Sequence, residues 1–133
     1  MEEIEDTPKY IKLIKTAVQS VPNISTVNVV WNAVVASETK GLSWDFANNR
    51  FVVPATGIYS ITNHVRVAAN ANATYSFTMN ASFPFDTSAS DCNVLKLNAG
   101  DVVKTTFVQN SGGSLNLNAN DGAYLVIVQL ALL

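Results

Sequence analysis

Two side chains are the obvious candidates for nucleophilic or acid–base chemistry, and each type occurs once: His64 and Cys92. A catalytic serine or cysteine needs a general base beside it, and histidine most often serves as that base. His64 instead falls in an alternating segment between Thr62 and Arg66, and Cys92 follows Asp91, whose negative charge disfavours a thiolate. We interpret His64 as a structural or surface residue and Cys92 as a buried or loop thiol. The sequence therefore predicts no catalytic residue and no enzyme activity.

Metal-binding patterns are equally sparse. A zinc site takes about four nitrogen or sulfur ligands, which one histidine and one cysteine do not supply. Calcium accepts carboxylates and carbonyl oxygens, but no aspartate here has the spacing of a dedicated calcium loop. Asp101 and Asp121 are typical turn residues, which leaves Asp86 and Asp91, in a polar loop, as the remaining candidates. We predict no metal and no cofactor, and the sequence leaves open whether calcium binds.

Aromatic side chains offer one further possibility, because their rings can stack on the apolar faces of sugars. The candidates for such a surface are Trp31, Trp44, Tyr59 and Tyr75. Aromatic residues in strands more commonly pack in the core, and that is the role we predict for them.

Composition excludes several classes of protein. Hydrophobic residues make up 48% of the 133 residues and charged residues 14%, with a net charge of −2. A disordered or nucleic-acid-binding chain would have the opposite balance. No apolar stretch reaches the roughly 18 residues needed to span a membrane, and the acidic start does not resemble a secretory signal. We expect a chain made in the cytoplasm that binds no nucleic acid and does not insert into membranes.

The elements that would position any site are short strands. Ile58–Ala68 alternates apolar and polar residues, as a half-buried strand does. Asn48-Asn49 is a turn signal because asparagine tolerates positive φ. Lys9–Val18 fits a helix or a strand, and the sequence does not decide between them. The other predicted strands are Val27–Val35, Gly41–Phe46, Arg50–Val53, Thr74–Ala81, Val94–Leu97, Val102–Gln109, Ser114–Asn118 and Ala123–Leu133. Such a series predicts a two-sheet antiparallel sandwich.

The last segment carries the strongest hint of assembly. From Thr105 to Leu133 the only charged residue is Asp121, and Ala123–Leu133 is apolar at both alternating sets of positions. A strand that is apolar on both faces is covered on both sides, although a small sandwich covers only one. We predict that the second face meets another copy of the chain. The predicted interface residues are Tyr124, Val126, Ile127 and Val128.

Three segments together resemble the C1q and tumour-necrosis-factor superfamily. Trp44–Tyr59, WDFANNRFVVPATGIY, is similar to the family pattern Phe-x-x-Pro-x-x-Gly-x-Tyr. Leu95–Val103, LKLNAGDVV, resembles its Leu-x-Leu-x-x-Gly-Asp-x-Val, and Ala123–Leu130, AYLVIVQL, resembles its closing strand. The resemblance covers residues 41–133, and it implies a jelly-roll fold and a homotrimer. The chain departs from the family at Leu125 and Val126, where a glycine is common, and it lacks a collagen repeat.

These observations lead to an expectation about function and organisation. We expect an acidic tail over residues 1–8 and one jelly-roll domain over 9–133. The domain is expected to be a non-enzymatic trimeric module of a phage virion, as a decoration, fibre or receptor-binding protein that contacts a virion protein or a host-surface glycan or protein. The alternative is a soluble bacterial carbohydrate-binding or cell-surface module. Ligand contacts are expected from loops, at Ala69, Asn70, Asn72, Phe83 and Phe85.

Overall fold

The computed structural model describes residues 8–66, 75–77, 82–83, 88–109, 114–119 and 123–133. Over these ranges the chain is almost entirely β, with one short 3₁₀ helix, Ala36–Glu38. The strands are β1 Lys9–Ile14, β2 Gln19–Val21, β3 Ser25–Asn28, β4 Ala33–Val34, β5 Phe51–Val52, β6 Gly57–Arg66, β7 Tyr75–Phe77, β8 Ser82–Phe83, β9 Ser88–Leu97, β10 Val102–Val103, β11 Thr106–Gln109, β12 Leu115–Leu117 and β13 Tyr124–Leu132. No helix in these ranges has the length and apolar character that crossing a membrane requires.

The strands form the two-sheet antiparallel jelly-roll sandwich that the sequence predicted. One sheet has five strands in the order β4-β1-β13-β6-β9, so that β13 lies at its centre. The other has four in the order β3-β11-β7-β8, and β10–β5 and β12–β2 form two separate two-stranded sheets. Every pairing between strands is antiparallel.

The core lies between the two sheets and follows from the alternation of apolar residues. Along β6 the residues are alternately buried and half-buried, with Tyr59, Ile61, Asn63 and Val65 pointing inward. Strands β1 and β13 of the same sheet add their own inward-pointing residues to this layer. The buried apolar residues are Ile11, Leu13, Val21, Val29, Trp31, Leu42, Trp44, Phe51, Val53, Tyr59, Ile61, Val65, Phe107, Leu117, Ala123, Leu125 and Ile127.

The motif around Gly57 and Tyr59 closes one end of the five-stranded sheet. The Tyr59 hydroxyl donates to the Ala55 carbonyl at 2.7 Å and accepts from Gln129 Nε2 at 3.1 Å. Strand β13 has a bulge between Gln129 and Ala131, directly opposite this point. A Cβ on Gly57 would overlap the carbonyl oxygen of Ala131. Glycine is therefore required here by the close approach of β13 rather than by φ.

Two predicted strands are interrupted because the chain changes sheets within them. Val27–Val35 was predicted as one strand, but β3 pairs with β11 and β4 pairs with β1. Between these two strands, side-chain amides make hydrogen bonds to backbone groups that would otherwise pair with a neighbouring strand. Gln19 accepts from Val30 N at 2.8 Å, while Asn49 accepts from Trp31 N at 3.2 Å and donates to Val29 O at 2.7 Å. The prediction of one continuous strand was wrong.

Val102–Gln109 is divided in the same way, since β10 pairs with β5 and β11 pairs with β3 and β7. The break falls at Thr105, whose carbonyl accepts from Val29 N at 2.8 Å. Its buried hydroxyl donates to the Asn63 side-chain oxygen. This hydrogen bond links Thr105, where the segment Val102–Gln109 passes from one sheet to another, to the centre of strand β6.

Other predicted elements differ in their bounds. Lys9–Val18, which the sequence left open, contains strand β1 and no helix. Strand β9 begins at Ser88 rather than Val94, because it follows β6 over ten paired positions. Gly41–Phe46 forms only isolated bridges. Asp45 and Arg50 close a longer hairpin loop than predicted, and Asn49 within it has the expected positive φ of 51°.

Candidate functional site

The candidate site is the surface of the five-stranded sheet that points away from the core, which we call the outer face. Its residues alternate with the buried ones on β1, β13, β6 and β9. The strand register aligns them in rows across the sheet. One row is Lys12, Val126, Thr62 and Cys92; the next is Tyr10, Val128, Ser60 and Val94; a third is Ile14, Tyr124, His64 and Ser90.

Strand β13 places the predicted interface residues on opposite faces. Tyr124, Val126 and Val128 lie half-buried on the outer face. Ile127 is fully buried beside Leu125 in the core. Because side chains alternate along a strand, Ile127 cannot share a surface with its neighbours. The chain's own core thus covers one of the four residues that the sequence assigned to a partner.

An aromatic pair with cations around it lies at the end of the outer face. The rings of His64 and Tyr124 stack at 5.2 Å between centroids and 12° between planes. The Lys12 ammonium lies 5.4 Å from the Tyr124 ring centroid and 3.4 Å from a carboxylate oxygen of Glu38. Burial, followed by the positive charge of Arg66, lowers the pKa of His64 below its ordinary value. The neutral imidazole therefore packs here as an aromatic surface.

Cys92 also lies on the outer face, so the fold brings it onto the strand beside His64. It is exposed on β9 rather than buried or in a loop, and that part of the sequence-based interpretation was wrong. Its sulfur accepts a hydrogen bond from the Thr62 hydroxyl at 3.3 Å. His64 lies one row away and stacks towards β13 instead. The pair thus lacks the nucleophile–base contact that catalysis by a thiol requires.

The predicted loop contacts lie largely beyond the described part of the chain. Ala69, Asn70, Asn72 and Phe85 are outside the described residues, as are Asp86 and Asp121. Phe83 belongs to β8, opposite Tyr75 in β7. Within the described ranges, no three histidine, cysteine or acidic side chains come together as a metal-binding group.

Three of the four aromatic residues considered for sugar binding point into the core. Trp31, Trp44 and Tyr59 are all buried, and they belong to one apolar cluster with Phe51. Phe51 and Tyr59 meet edge to face at 6.2 Å. The prediction that these aromatic residues pack in the core is confirmed for these three. A sugar-stacking platform would need other residues.

Sequence reasoning missed Lys15, a lysine inside the sandwich. Lys15 is fully buried, and its ammonium donates to Val30 O at 2.7 Å and Gln19 Oε1 at 3.0 Å. Burial lowers its pKa from 10.5 to about 8. Val30 comes from a segment predicted as strand and Gln19 lies outside the predicted elements, and no sequence pattern indicated that they would converge on an ammonium.

Lys15 predicts a pH dependence of stability in the alkaline range. The native chain releases this proton near pH 8, whereas the unfolded chain holds it up to about pH 10.5. The burial penalty is therefore complete below pH 8 and is relieved as the pH rises, so the free energy of unfolding should increase. Lys15→Met should flatten this rise between pH 7 and 9.5, as measured by urea unfolding. An unchanged slope in the variant would show that other groups cause it, and Lys12→Met is the surface control.

Comparison with known proteins confirms the fold alone. No protein-family model matches the chain, and no curated protein matches it in sequence. Solved structures do match. The fold is a TNF-like jelly roll, so the resemblance of the three sequence segments is confirmed at the level of architecture.

Two structures illustrate the likeness. Murine APRIL, crystallised at pH 8.5, superposes with a TM-score of 0.68 over 93% of this chain and all of the APRIL chain, at 17% identity. The Eiger TNF of S. frugiperda gives 0.62 over 95% of this chain and 94% of its own, at 16% identity.

Proposed function

We propose that this chain is a non-enzymatic homotrimeric binding module that serves in a phage virion as a decoration, fibre or receptor-binding protein. The observation that carries the proposal is the composition of the outer face. An antiparallel sheet that faces water is normally polar on that side. Here the centre of the outer face holds Tyr124, Val126 and Val128, flanked by Ile14.

The edge of the same sheet supplies a complementary apolar surface. Strand β9 is one of the two edge strands, and Leu95, which points to the side opposite to the outer face, is 39% exposed. The face of one chain and the edge of the next are different surfaces, so their contact is head-to-tail. Such contacts form a ring when the rotation between neighbouring copies closes, and the resemblance to the C1q and tumour-necrosis-factor superfamily implies a ring of three.

The binding role follows from what the sandwich leaves free. Its strands are fixed by the core, so recognition belongs to loops, and we propose the segments containing Ala69, Asn70, Asn72 and Phe85, without Phe83, which lies in strand β8. The partner would be a virion protein or a host-surface glycan or protein. We further propose that the chain is made in the cytoplasm and then incorporated into the virion. The buried positions of Trp31, Trp44 and Tyr59 give the carbohydrate-binding alternative less support.

The mass of the protein in solution tests the assembly. Light scattering at micromolar concentration should give three times the chain mass of 14.3 kDa. The monomer mass would refute the trimer and leave the apolar outer face without its proposed partner. Detection of the chain in purified virions by mass spectrometry would test the proposed setting.

A further inference from the structure

His64 occupies a place on the outer face where its charge has consequences. The imidazole is half-buried in a single chain and stacks on Tyr124 at 5.2 Å. A subunit packed on the outer face would remove still more water from both rings. A neutral imidazole suits such a surface, whereas an imidazolium in it would need a carboxylate partner.

The charged groups around His64 are mostly positive. Arg66 follows it on the same face of β6, and Lys12 of β1 lies 5.4 Å from the Tyr124 ring centroid. Glu38 is 56% exposed and pairs with Lys12 at 3.4 Å. On β13 the facing titratable group is Tyr124, and among the described side chains of β9 it is Cys92. Arg66 is the charged group that acts on the pKa of His64, and no carboxylate among the described side chains does so.

We propose that His64 makes the assembly of this protein sensitive to acid, because its neutral ring packs in the subunit interface and its protonation drives the subunits apart. The inference rests on the proposed trimer through the outer face. Each protonated chain adds one cation to a surface that already carries Lys12 and Arg66. A ring of three chains adds three cations at once.

The direction of the pH dependence follows from linkage. Burial and Arg66 hold the pKa of His64 below its ordinary value of 6.5, and burial by a partner lowers it further. The dissociated chain therefore binds the proton more readily than the assembled chain. Assembly is complete above the pKa of His64 in the dissociated chain, which lies below 6.5, and it is lost as the pH falls through the still lower pKa of the assembled chain. With one proton per chain, the dissociation constant of the trimer rises by up to about a thousandfold per pH unit.

Sedimentation equilibrium of the full chain at pH 8.0, 6.5 and 5.0 tests the proposal. The parent protein should be trimeric at pH 8.0 and dissociate by pH 5.0. His64→Phe, which keeps an aromatic ring but has no titrating group, should remain trimeric throughout. His64→Gln is a second neutral variant, should Phe distort the packing, and circular dichroism at each pH should show intact β structure.

The outcomes separate this inference from the proposed function. A parent protein that is trimeric at both pH 8.0 and pH 5.0 overturns the acid switch and leaves the trimer standing. A monomer at pH 8.0 overturns both. If folded His64→Phe and His64→Gln dissociate in acid as the parent does, another group is responsible and the role of His64 is refuted.

Discussion

Gly57→Ala is expected to destabilise the fold by about 3 kcal/mol or more. The added Cβ would overlap the backbone carbonyl oxygen of Ala131, and it would lie 3.3 Å from the Ala131 carbonyl carbon. The obstacle is backbone of the central strand, so no side-chain rotation relieves it. Displacing β13 at this point would also strain the Gln129–Tyr59 hydrogen bond. Urea unfolding followed by circular dichroism should show the loss.

Gly100→Ala is the matched control for this change. Gly100 has a φ of +92°, and a Cβ there would meet no atom within 4 Å. Its substitution should therefore cost only the conformational strain of an L-residue, roughly 1–2 kcal/mol. If Gly57→Ala proves no worse than Gly100→Ala, β13 does not approach β6 as closely as described.

Substitution by aspartate at two adjacent positions of β13 should affect two different properties, folding at Ile127 and assembly at Val126. Ile127 is fully buried, so Ile127→Asp places an unpaired carboxylate in the core at about 3–5 kcal/mol. That is much of the stability of an ordinary domain, and the chain should largely unfold. Val126 lies half-buried on the outer face. Val126→Asp should leave a folded chain and abolish the proposed trimer.

Circular dichroism and light scattering together distinguish the two results. Ile127→Asp should lose β structure, while Val126→Asp should keep it and show the monomer mass. Val126→Thr, similar in shape and uncharged, should remain assembled. A Val126→Asp protein that is still trimeric would place the interface elsewhere and would remove the observation on which the proposed function depends.

Elements governed by local pattern could be predicted from the sequence. The alternation in β6 identified its inward and outward residues, and the apolar positions of β13 predicted a strand that is covered on both faces. The motif containing Gly57 and Tyr59 is now explained by the contact with Ala131 and the hydrogen bonds to Ala55 and Gln129. The alternation is a property of residues close together in the sequence, whereas the contacts that explain the motif come largely from the distant strand β13.

Features created by distant segments could not be predicted. Where the chain passes between sheets, the side chains of Gln19 and Asn49 hydrogen-bond to backbone groups of Val30 and Val29. A glutamine or an asparagine in the sequence does not by itself predict that role. The outer face combines positions from four strands, so the approach of Lys12 to Tyr124 depends on strand order. The assignment of Ile127 depended on which of two apolar sets faces the core. Both sets satisfy the same pattern, and only the packing of the two sheets decides between them.

The central position of β13 also constrains when the protein can fold during its synthesis. Strand β13 pairs with β1 on one side and β6 on the other, although nearly the whole described chain separates it from β1. Until the ribosome has released residues 124–132, β1 and β6 have no strand between them. The five-stranded sheet therefore forms only after most of the chain has emerged, and long-range pairing of this kind is slow. Newly made chains should depend on chaperones during that interval more than a protein that folds from its N-terminus.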